Sequence, residues 1–239
     1  MSTTARKTTS GKSTPRATAA PRPDRRHNIL LAAEKLFATY GYHAVSIRQI
    51  ADEAQVPLAL VGYYFGAKQQ LYHAIFEHWR SMINARLTAL QTALADPSPD
   101  QLTRLVEAFI SPVIRLRASP EGEYYALLMT RGLALQSEEE DAIIREFFDP
   151  MAQAFIQAFH TSLAAEFPHV TPSQVAWCYQ FALGALLHHI SDQRVHRLSR
   201  GENRPCDPAV SPQLVAFIAH GMRGAIASLQ PLHSKKKKS

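Results

Sequence analysis

Repeated helix-start signals constrain the fold of this chain more than any other feature of its sequence. A serine or threonine stands three residues before a glutamate or glutamine at residues 46–49, 98–101, 137–140 and 171–174. In such a pair the hydroxyl and the longer side chain each bond to the other residue's backbone N–H, which caps a helix. The apolar residues between these signals recur with helical spacing, and no alternating strand pattern is convincing. We therefore expect an all-α protein.

The spacing predicts about nine helices, of which the second and third are very short, followed by longer ones that form a bundle. The predicted ranges are 24–40, 47–54, 58–64, 68–95, 99–117, 121–135, 138–167, 172–194 and 212–229. A hydrophobic share of 46% in 239 residues is enough for a proper core. Only two cysteines occur, which indicates a reducing compartment and no disulfide framework. No apolar run is long enough to span a bilayer, so we expect no membrane partner.

The positive charge of the chain lies in its two tails. Residues 1–22 and 232–239 hold nine of the 26 basic residues and no acid, which leaves 17 basic against 20 acidic residues elsewhere. The low-complexity N-terminal tail is expected to be disordered. Such tails can add phosphate attraction that does not depend on sequence, although solvated termini explain them equally well.

Two short helical segments are separated by only three residues. "SIRQIADEA" and "LALVGYYFG" flank Gln55-Val56-Pro57, and small Ala51 and Ala54 stand where the two helices would cross. This spacing is typical of a helix-turn-helix.

The motif lies inside a longer stretch of familiar sequence, "ILLAAEKLFATYGYHAVSIRQIADEAQVPLALVGYYFGAKQQLYHAIF". It resembles the TetR family of bacterial transcriptional regulators over about residues 25–76. The similarity rests on the first helix "AAEKLFATYGY", the capped "SIRQIADEA", the aromatic pair before Phe65, and Gly66 with Lys68.

The resemblance implies an N-terminal helix-turn-helix DNA-binding domain at 23–83, with its motif at about 46–65. It implies a C-terminal effector-binding and dimerisation domain at 84–231. The implied homodimer forms through helices near 172–194 and 212–229 and binds a palindromic operator in double-stranded DNA. We expect a cytoplasmic, nucleoid-associated repressor that responds to a small molecule and is not an enzyme. No cofactor or metal is expected.

Four positions depart from the family pattern. Gln55 stands where the turn commonly has glycine, and Pro57 where serine is common at the start of the second motif helix. Gly62 replaces a common tyrosine or asparagine, and Ala67 replaces a serine that usually caps the next helix. None of these changes breaks the fold, but together they remove side chains that could hydrogen-bond to bases.

The helical spacing assigns Val61 and Phe65 to the core and turns their neighbours outward. The predicted DNA-contacting residues are Ser46, Arg48, Ala59, Leu60, Gly62, Tyr63, Tyr64 and Lys68. Tyr64 and Lys68 are expected near phosphates, while Ala59 and Leu60 would contact thymine methyl groups. Leu58 could equally be core, and Arg48 could be a solvated charge.

Aromatic residues of the middle helices favour an apolar or aromatic effector. The residues predicted to contact it are Arg131, Phe155, Trp177, Gln180 and His188. His188, Asp192 and His196 follow one another at four-residue intervals, a spacing that can hold a metal but more often marks a solvated set.

Two other functions fit parts of the sequence. An all-α enzyme or adaptor with a coincidental helix-turn-helix would turn over a substrate and bind no DNA. A nucleoid-type binder driven by the basic tails would bind unrelated duplexes equally well.

Overall fold

A computed structural model describes residues 24–96, 100–134 and 137–229, and every regular element in these ranges is helical. The elements are α1 Arg25–Tyr40, α2 Ile47–Glu53, α3 Leu58–Phe65, α4 Lys68–His78, α5 Arg80–Ala95, α6 Gln101–Ala118, α7 Glu123–Ala134, α8 Glu138–Ile143, a π-helical segment Ile144–Phe148, α9 Asp149–Glu166, α10 Pro172–Ser191, α11 Val195–Leu198, a 3₁₀ turn Pro208–Val210 and α12 Ser211–Leu229. The all-α prediction is confirmed. The two basic tails and the predicted helix start at Ser98 lie outside the described residues.

Three of the predicted helix-start signals form the expected reciprocal bonds. The Ser46 hydroxyl accepts from the Gln49 backbone N–H at 3.3 Å, and the Gln49 side chain accepts from the Ser46 N–H at 2.8 Å. Ser137 with Glu140, and Thr171 with Gln174, make the same pair of bonds. The starts of α2, α8 and α10 are therefore fixed by local bonds between residues three apart.

The single helix predicted at 68–95 is wrong, because the chain turns at Trp79. This residue leaves the helical conformation at φ −91°, ψ 7°, and separates α4 from α5. Its indole N–H donates to the Glu34 carboxylate at 2.7 Å, and its ring stacks on Tyr125 with the centroids 5.0 Å apart. Contacts with distant residues thus fix the bend.

Two further boundaries differ from the prediction. The helix predicted at 138–167 is interrupted by the π-helical segment, whose Ile144, Phe147 and Phe148 are buried. The helix predicted at 172–194 ends at Ser191, and the short helix α11 follows it. A π-helical turn accommodates one additional residue within a helix, and such turns often occur beside binding sites.

Helix α4 joins the first three helices to the bundle. Helices α1 to α3 pack around fully buried side chains that include Phe37, Ile50 and Val61. Buried Tyr72 of α4 packs edge-on against Phe37, whereas Phe76 contacts Phe147 of the π-helical segment. The same helix therefore contributes to the core on both sides. The domain boundary at residue 83 stays a prediction.

No helix in the described ranges is long and apolar enough to cross a membrane.

The start of α4 lacks the side-chain cap that a serine at position 67 would provide. Ala67 occupies the N-cap position in an extended conformation, at φ −74°, ψ 160°, and makes no side-chain capping bond. We expect Ala67→Ser to raise the free energy of unfolding by about 1 kcal/mol, because its hydroxyl can accept from the first turn. Urea unfolding measures the change. Ala67→Val adds bulk without an acceptor and is the control; an equal gain from both variants would contradict capping.

Candidate nucleic-acid interface

The turn between α2 and α3 contains a strained backbone. Gln55 has a φ of 54°, in the left-handed region that disfavours residues with a side chain. Its neighbours close the turn through hydrogen bonds, with the Val56 N–H donating to the Ala51 carbonyl at 3.0 Å. The helix-turn-helix geometry therefore forms with glutamine at the position where glycine would be less strained.

Helix α3 has one buried face and one exposed face. Val61 and Phe65 are buried in the core, as predicted, and the Arg26 guanidinium lies 5.0 Å from the centre of the Phe65 ring. Ala59 and Gly62 are exposed, while Leu60 is half-buried and packs against the core. Leu58 is 46% exposed, which excludes it from the core and leaves it on the outer face.

The two tyrosines of α3 form an aromatic surface at its C-terminal end. Tyr63 is 80% exposed, and its ring meets that of Tyr64 edge-on at 5.2 Å. An exposed tyrosine offers a hydroxyl to phosphate while its ring contacts the sugar edge. This placement agrees with the expectation of tyrosine side chains at the surface.

Arg48 and Lys68, the two positively charged residues predicted to contact DNA, differ in their exposure and in their contacts. Arg48 is exposed and forms no ion pair with any residue in the described ranges. Lys68 is half-buried instead of extended at the edge, and its ammonium lies 4.4 Å from the centre of the Tyr42 ring. Burial lowers the pKa of Lys68. Ser46 is exposed, but its hydroxyl is already used in the α2 cap.

Close approach of α3 to a flat or grooved partner is possible at Gly62. A Cβ built on this glycine would meet no atom of the described residues within 4 Å. Packing within the fold therefore does not require glycine at position 62. It leaves backbone exposed in the middle of the outer face, between Ala59 and Tyr63.

Comparison with known sequences adds to this geometry. The profile described as "Bacterial regulatory proteins, tetR family" matches residues 29–75. A second profile, described as "Tetracyclin repressor-like, C-terminal domain", matches residues 107–221. The two matched ranges together cover more than half of the chain.

The chain belongs to the TetR family.

Among TetR relatives, the HTH-type transcriptional repressor NicS of Pseudomonas putida is 38% identical over 85 residues. The HTH-type transcriptional activator FasR of Mycolicibacterium smegmatis is 34% identical over 90 residues. These matches cover 36% and 37% of this chain, and only 39% and 40% of the respective relatives.

Solved structures share the fold over most of the chain. The fatty acid degradation regulator FadR from Bacillus halodurans aligns with a TM-score of 0.61 at 14% identity, covering 85% of this chain and 99% of that one. The TetR family transcriptional regulator PfmR from Thermus thermophilus aligns with a TM-score of 0.52 at 20% identity, covering 80% and 97%. At these identities the comparison establishes the architecture alone.

The residues predicted to contact an effector do not meet in one cavity of this TetR protein. Trp177 and Gln180 border a groove of about 690 Å³ between the π-helical segment, α9 and α10. Phe155 is fully buried beside Phe109 and lines no groove edge in the described part of the chain. His188 points into a different depression and pairs with Asp192 at 3.0 Å. Phe155 and His188 therefore do not line this groove, and their role as effector contacts stays a prediction.

Arg131 does not line this groove either. Its guanidinium donates to the Thr39 and Tyr40 carbonyls at 3.5 and 3.3 Å, where α1 ends. A Cβ on Gly41, at φ 89°, would lie 2.8 Å from the arginine Nε. Arg131 therefore joins the bundle to the end of α1, and its role as an effector contact stays a prediction.

Of the three residues spaced like metal ligands, His188 and Asp192 pair, whereas His196 is held elsewhere. His196 lies on α11 beyond the end of α10, and its ring nitrogen Nδ1 is 3.2 Å from the Asn203 carbonyl. Asp192 accepts several bonds from Arg194, which lowers the pKa of the aspartate to about 2. Within the described ranges no cluster of three metal-ligating residues occurs.

Helices α10 and α12 leave large apolar side chains uncovered in a single chain. Trp177 stacks on Phe181 at a centroid distance of 6.0 Å, and both rings are mostly exposed, as is Phe217 of α12. Gly184 and Gly224 have no described atom within 4 Å of a built Cβ. These rings therefore do not belong to the core of a single chain.

A buried acid lies where the first three helices meet the bundle. Glu34 of α1 is almost fully buried, although glutamate is usually a surface residue. Burial raises the pKa of the Glu34 carboxyl to about 7, while hydrogen bonds from Trp79 and the Tyr125 backbone act in the opposite direction. The sequence signal that could have revealed it is its position between buried Ala33 and Phe37 on the inner face of α1.

This acid makes the stability of the fold depend on pH. Because the folded-state pKa of Glu34 is raised from 4.5, its stabilising contribution is complete below about pH 4.5 and is lost as pH rises through about 7. Glu34→Gln keeps an acceptor for the Trp79 indole but cannot ionise. We expect wild type to lose about 2 kcal/mol relative to this variant between about pH 5 and 7. Urea unfolding at both pH values measures the difference, and parallel pH profiles would contradict a raised pKa.

Proposed function

We propose that this chain is a transcriptional regulator that binds a near-palindromic operator in double-stranded DNA as a homodimer. The observation that carries the proposal is the division of α3 between a buried face and an exposed face containing Ala59, Gly62 and Tyr63. The second helix of a helix-turn-helix enters the major groove with such a face. Family membership favours this function over an all-α enzyme or adaptor.

The proposed interface combines a few anchors with an apolar centre. Arg48 and the two tyrosine hydroxyls of α3 contact phosphates and fix the register of the protein on DNA. Ala59 and half-buried Leu60 contact thymine methyl groups, and Gly62 lets the helix backbone approach the base edges. Ser46 and Lys68 support this face, the first by capping α2 and the second by packing on Tyr42.

The proposed dimer forms through the exposed faces of α10 and α12. Their uncovered rings supply the apolar centre of an interface, and Gly184 and Gly224 allow a partner helix to come close. Two α3 helices related by a two-fold axis then meet two half-sites in successive major grooves.

Selection of bound duplexes from a random pool tests the proposal directly. A dimer that binds specific sequences enriches an inverted repeat whose half-sites are about 10 base pairs apart or a simple multiple of this spacing. Enrichment of no sequence, together with equal affinity for unrelated duplexes, would instead support the nucleoid-type binder. Replacing thymine with deoxyuridine in the selected operator tests the methyl contacts, since affinity should fall only at contacted positions.

We propose that an apolar small molecule regulates this binding from the groove beside α10. Its walls include Ile144, Phe148, Ile156 and Leu183, and its volume is in the range of small-molecule sites. The direction of regulation is tested with a reporter gene placed behind the selected operator. Repression, as predicted from the sequence, would lower expression. Of the two relatives, NicS is named a repressor and FasR an activator.

A further inference from the structure

A buried arginine lies at the centre of the bundle without a counter-ion in the described ranges. Arg86 of α5 is only 7% exposed, and it forms no ion pair with any residue that the structure describes. One of its terminal nitrogens donates to the Phe109 carbonyl at 3.0 Å, while its Nε has no hydrogen-bond partner among these residues. A buried guanidinium without a carboxylate is costly, so its presence requires an explanation.

The surroundings of Arg86 are aromatic. The guanidinium carbon lies 5.0 Å from the centre of the Phe109 ring and 5.8 Å from that of Phe155. Burial lowers the pKa of Arg86 to about 10, and no carboxylate of the described residues acts against this shift. The cation is thus held by ring faces and one carbonyl, which partly replace its lost hydration.

A second unsatisfied polar group lies near the arginine. Tyr125 of α7 is fully buried, and its hydroxyl has no hydrogen-bond partner within residues 24–96, 100–134 and 137–229. This tyrosine and Tyr179 of α10 are the groups that act electrostatically on Arg86. Two donors without acceptors, in one apolar region, are the arrangement that an anionic oxygen would complete.

Tyr179 lies between the groove beside α10 and the region around Arg86. Tyr179 forms part of the groove wall, and its ring packs against Phe109 at a centroid distance of 5.3 Å. The opposite wall includes Ile144 and Phe148 of the π-helical segment. A molecule that enters along the groove meets apolar walls first and reaches the arginine region by displacing Tyr179.

We propose that the bundle binds an apolar carboxylic acid, with its carboxylate on Arg86 and Tyr125 and its apolar body along the groove. This inference rests on the proposed regulator function and adds the chemical class of the effector. The carboxylate supplies a counter-ion to the guanidinium, and the aromatic walls cover the body. A neutral molecule of the same shape would leave the guanidinium unpaired.

Matched pairs of probes test the charge of the head group. Calorimetry on the full chain, freed of apolar contaminants, compares decanoate with decanol, and biphenyl-4-carboxylate with biphenyl-4-methanol. We expect at least one acid to bind about 10-fold or more tightly than its alcohol. If neither acid binds, or if each acid only equals its alcohol, the proposal is overturned.

Two variants assign this preference to named groups. Arg86→Met keeps the length and apolar body of the side chain, and we expect it to remove the preference for the acid while retaining binding of the alcohol. Tyr125→Phe deletes only a hydroxyl that has no partner among the described residues, so folding is unaffected and binding of the acid alone weakens by about threefold to 10-fold. If Arg86 is merely structural, Arg86→Met lowers the thermal midpoint and leaves the head-group preference intact, which would refute the proposal.

Operator selection on the same protein separates the two proposals. Recovery of an inverted repeat without binding of either acid would end this inference and leave the regulator function standing. Binding of an acid through Arg86 without enrichment of any DNA sequence would support the carboxylate site and contradict the regulator function. If an acid binds but does not change operator affinity, the carboxylate site stands and its regulatory role fails.

Discussion

Phe181→Glu is expected to convert the proposed homodimer into monomers and to abolish operator binding at nanomolar protein concentrations. The ring is 65% exposed in a single chain and stacks on Trp177, so the substitution leaves the core of each subunit intact. In the dimer, each of two glutamates would be buried without a partner, at about 3–5 kcal/mol apiece. Dimerisation would weaken by several orders of magnitude.

Sedimentation and electrophoretic mobility shift on the same samples measure both effects. Leu94→Glu is the matched control, because Leu94 is also an exposed apolar residue but lies on α5, outside the α10 and α12 face. It should remain dimeric and bind DNA. A Phe181→Glu protein that stays dimeric would place the interface elsewhere.

Gly62→Leu is expected to separate the stability of the fold from DNA binding. No described atom lies within 4 Å of a Cβ at this position, so the protein should fold at least as well as wild type. Glycine within a helix costs about 0.5–1 kcal/mol relative to alanine, which the substitution recovers. The new side chain would hold α3 away from the base edges in both half-sites, and we expect operator affinity to fall about 100- to 1,000-fold.

Gly62→Ala provides the graded control. It restores the helix with the smallest side chain and should reduce operator affinity less than leucine does, with a similar gain in the free energy of unfolding. Fluorescence anisotropy on the selected operator, paired with urea unfolding, gives both quantities. Equal DNA affinity in wild type and the leucine variant would mean that this part of α3 does not approach the groove.

The elements that local chemistry determines were predictable from the sequence. The capping pairs placed the starts of α2, α8 and α10, since each consists of two side chains three residues apart. The faces of α3 followed from helical spacing once its ends were known, so Val61 and Phe65 were assigned to the core correctly. The left-handed backbone at Gln55 agrees with the glycine that the family commonly has at this position of the turn.

The elements that depend on distant partners were not predictable in this way. The bend at Trp79 needs Glu34, which is 45 residues away in sequence. Arg131 and Phe155 looked like effector contacts because their types suit a pocket, but the rotation of α7 and α9 against their neighbours decides where each side chain points. That rotation set Arg131 against the end of α1 and buried Phe155 beside Phe109. The burial of Arg86 was not predicted, because nothing in the sequence distinguishes this arginine from the solvent-exposed charges of an amphipathic helix.

The double role of α4 affects how the proposed DNA specificity could be transferred to another protein. Its Tyr72 belongs to the core of the first three helices, while Phe76 and His73 meet Phe147 and Glu146 of the bundle. A chimaera that takes α1 to α3 from this protein and everything after them from another regulator would keep α4 matched to its own bundle. In that chimaera Phe37 would pack against a foreign side chain in place of Tyr72. A junction after α4 keeps Tyr72 against Phe37 but places Phe76 and His73 against foreign residues of the bundle. Transferring only the exposed residues of α3, one by one, changes neither of these packing contacts.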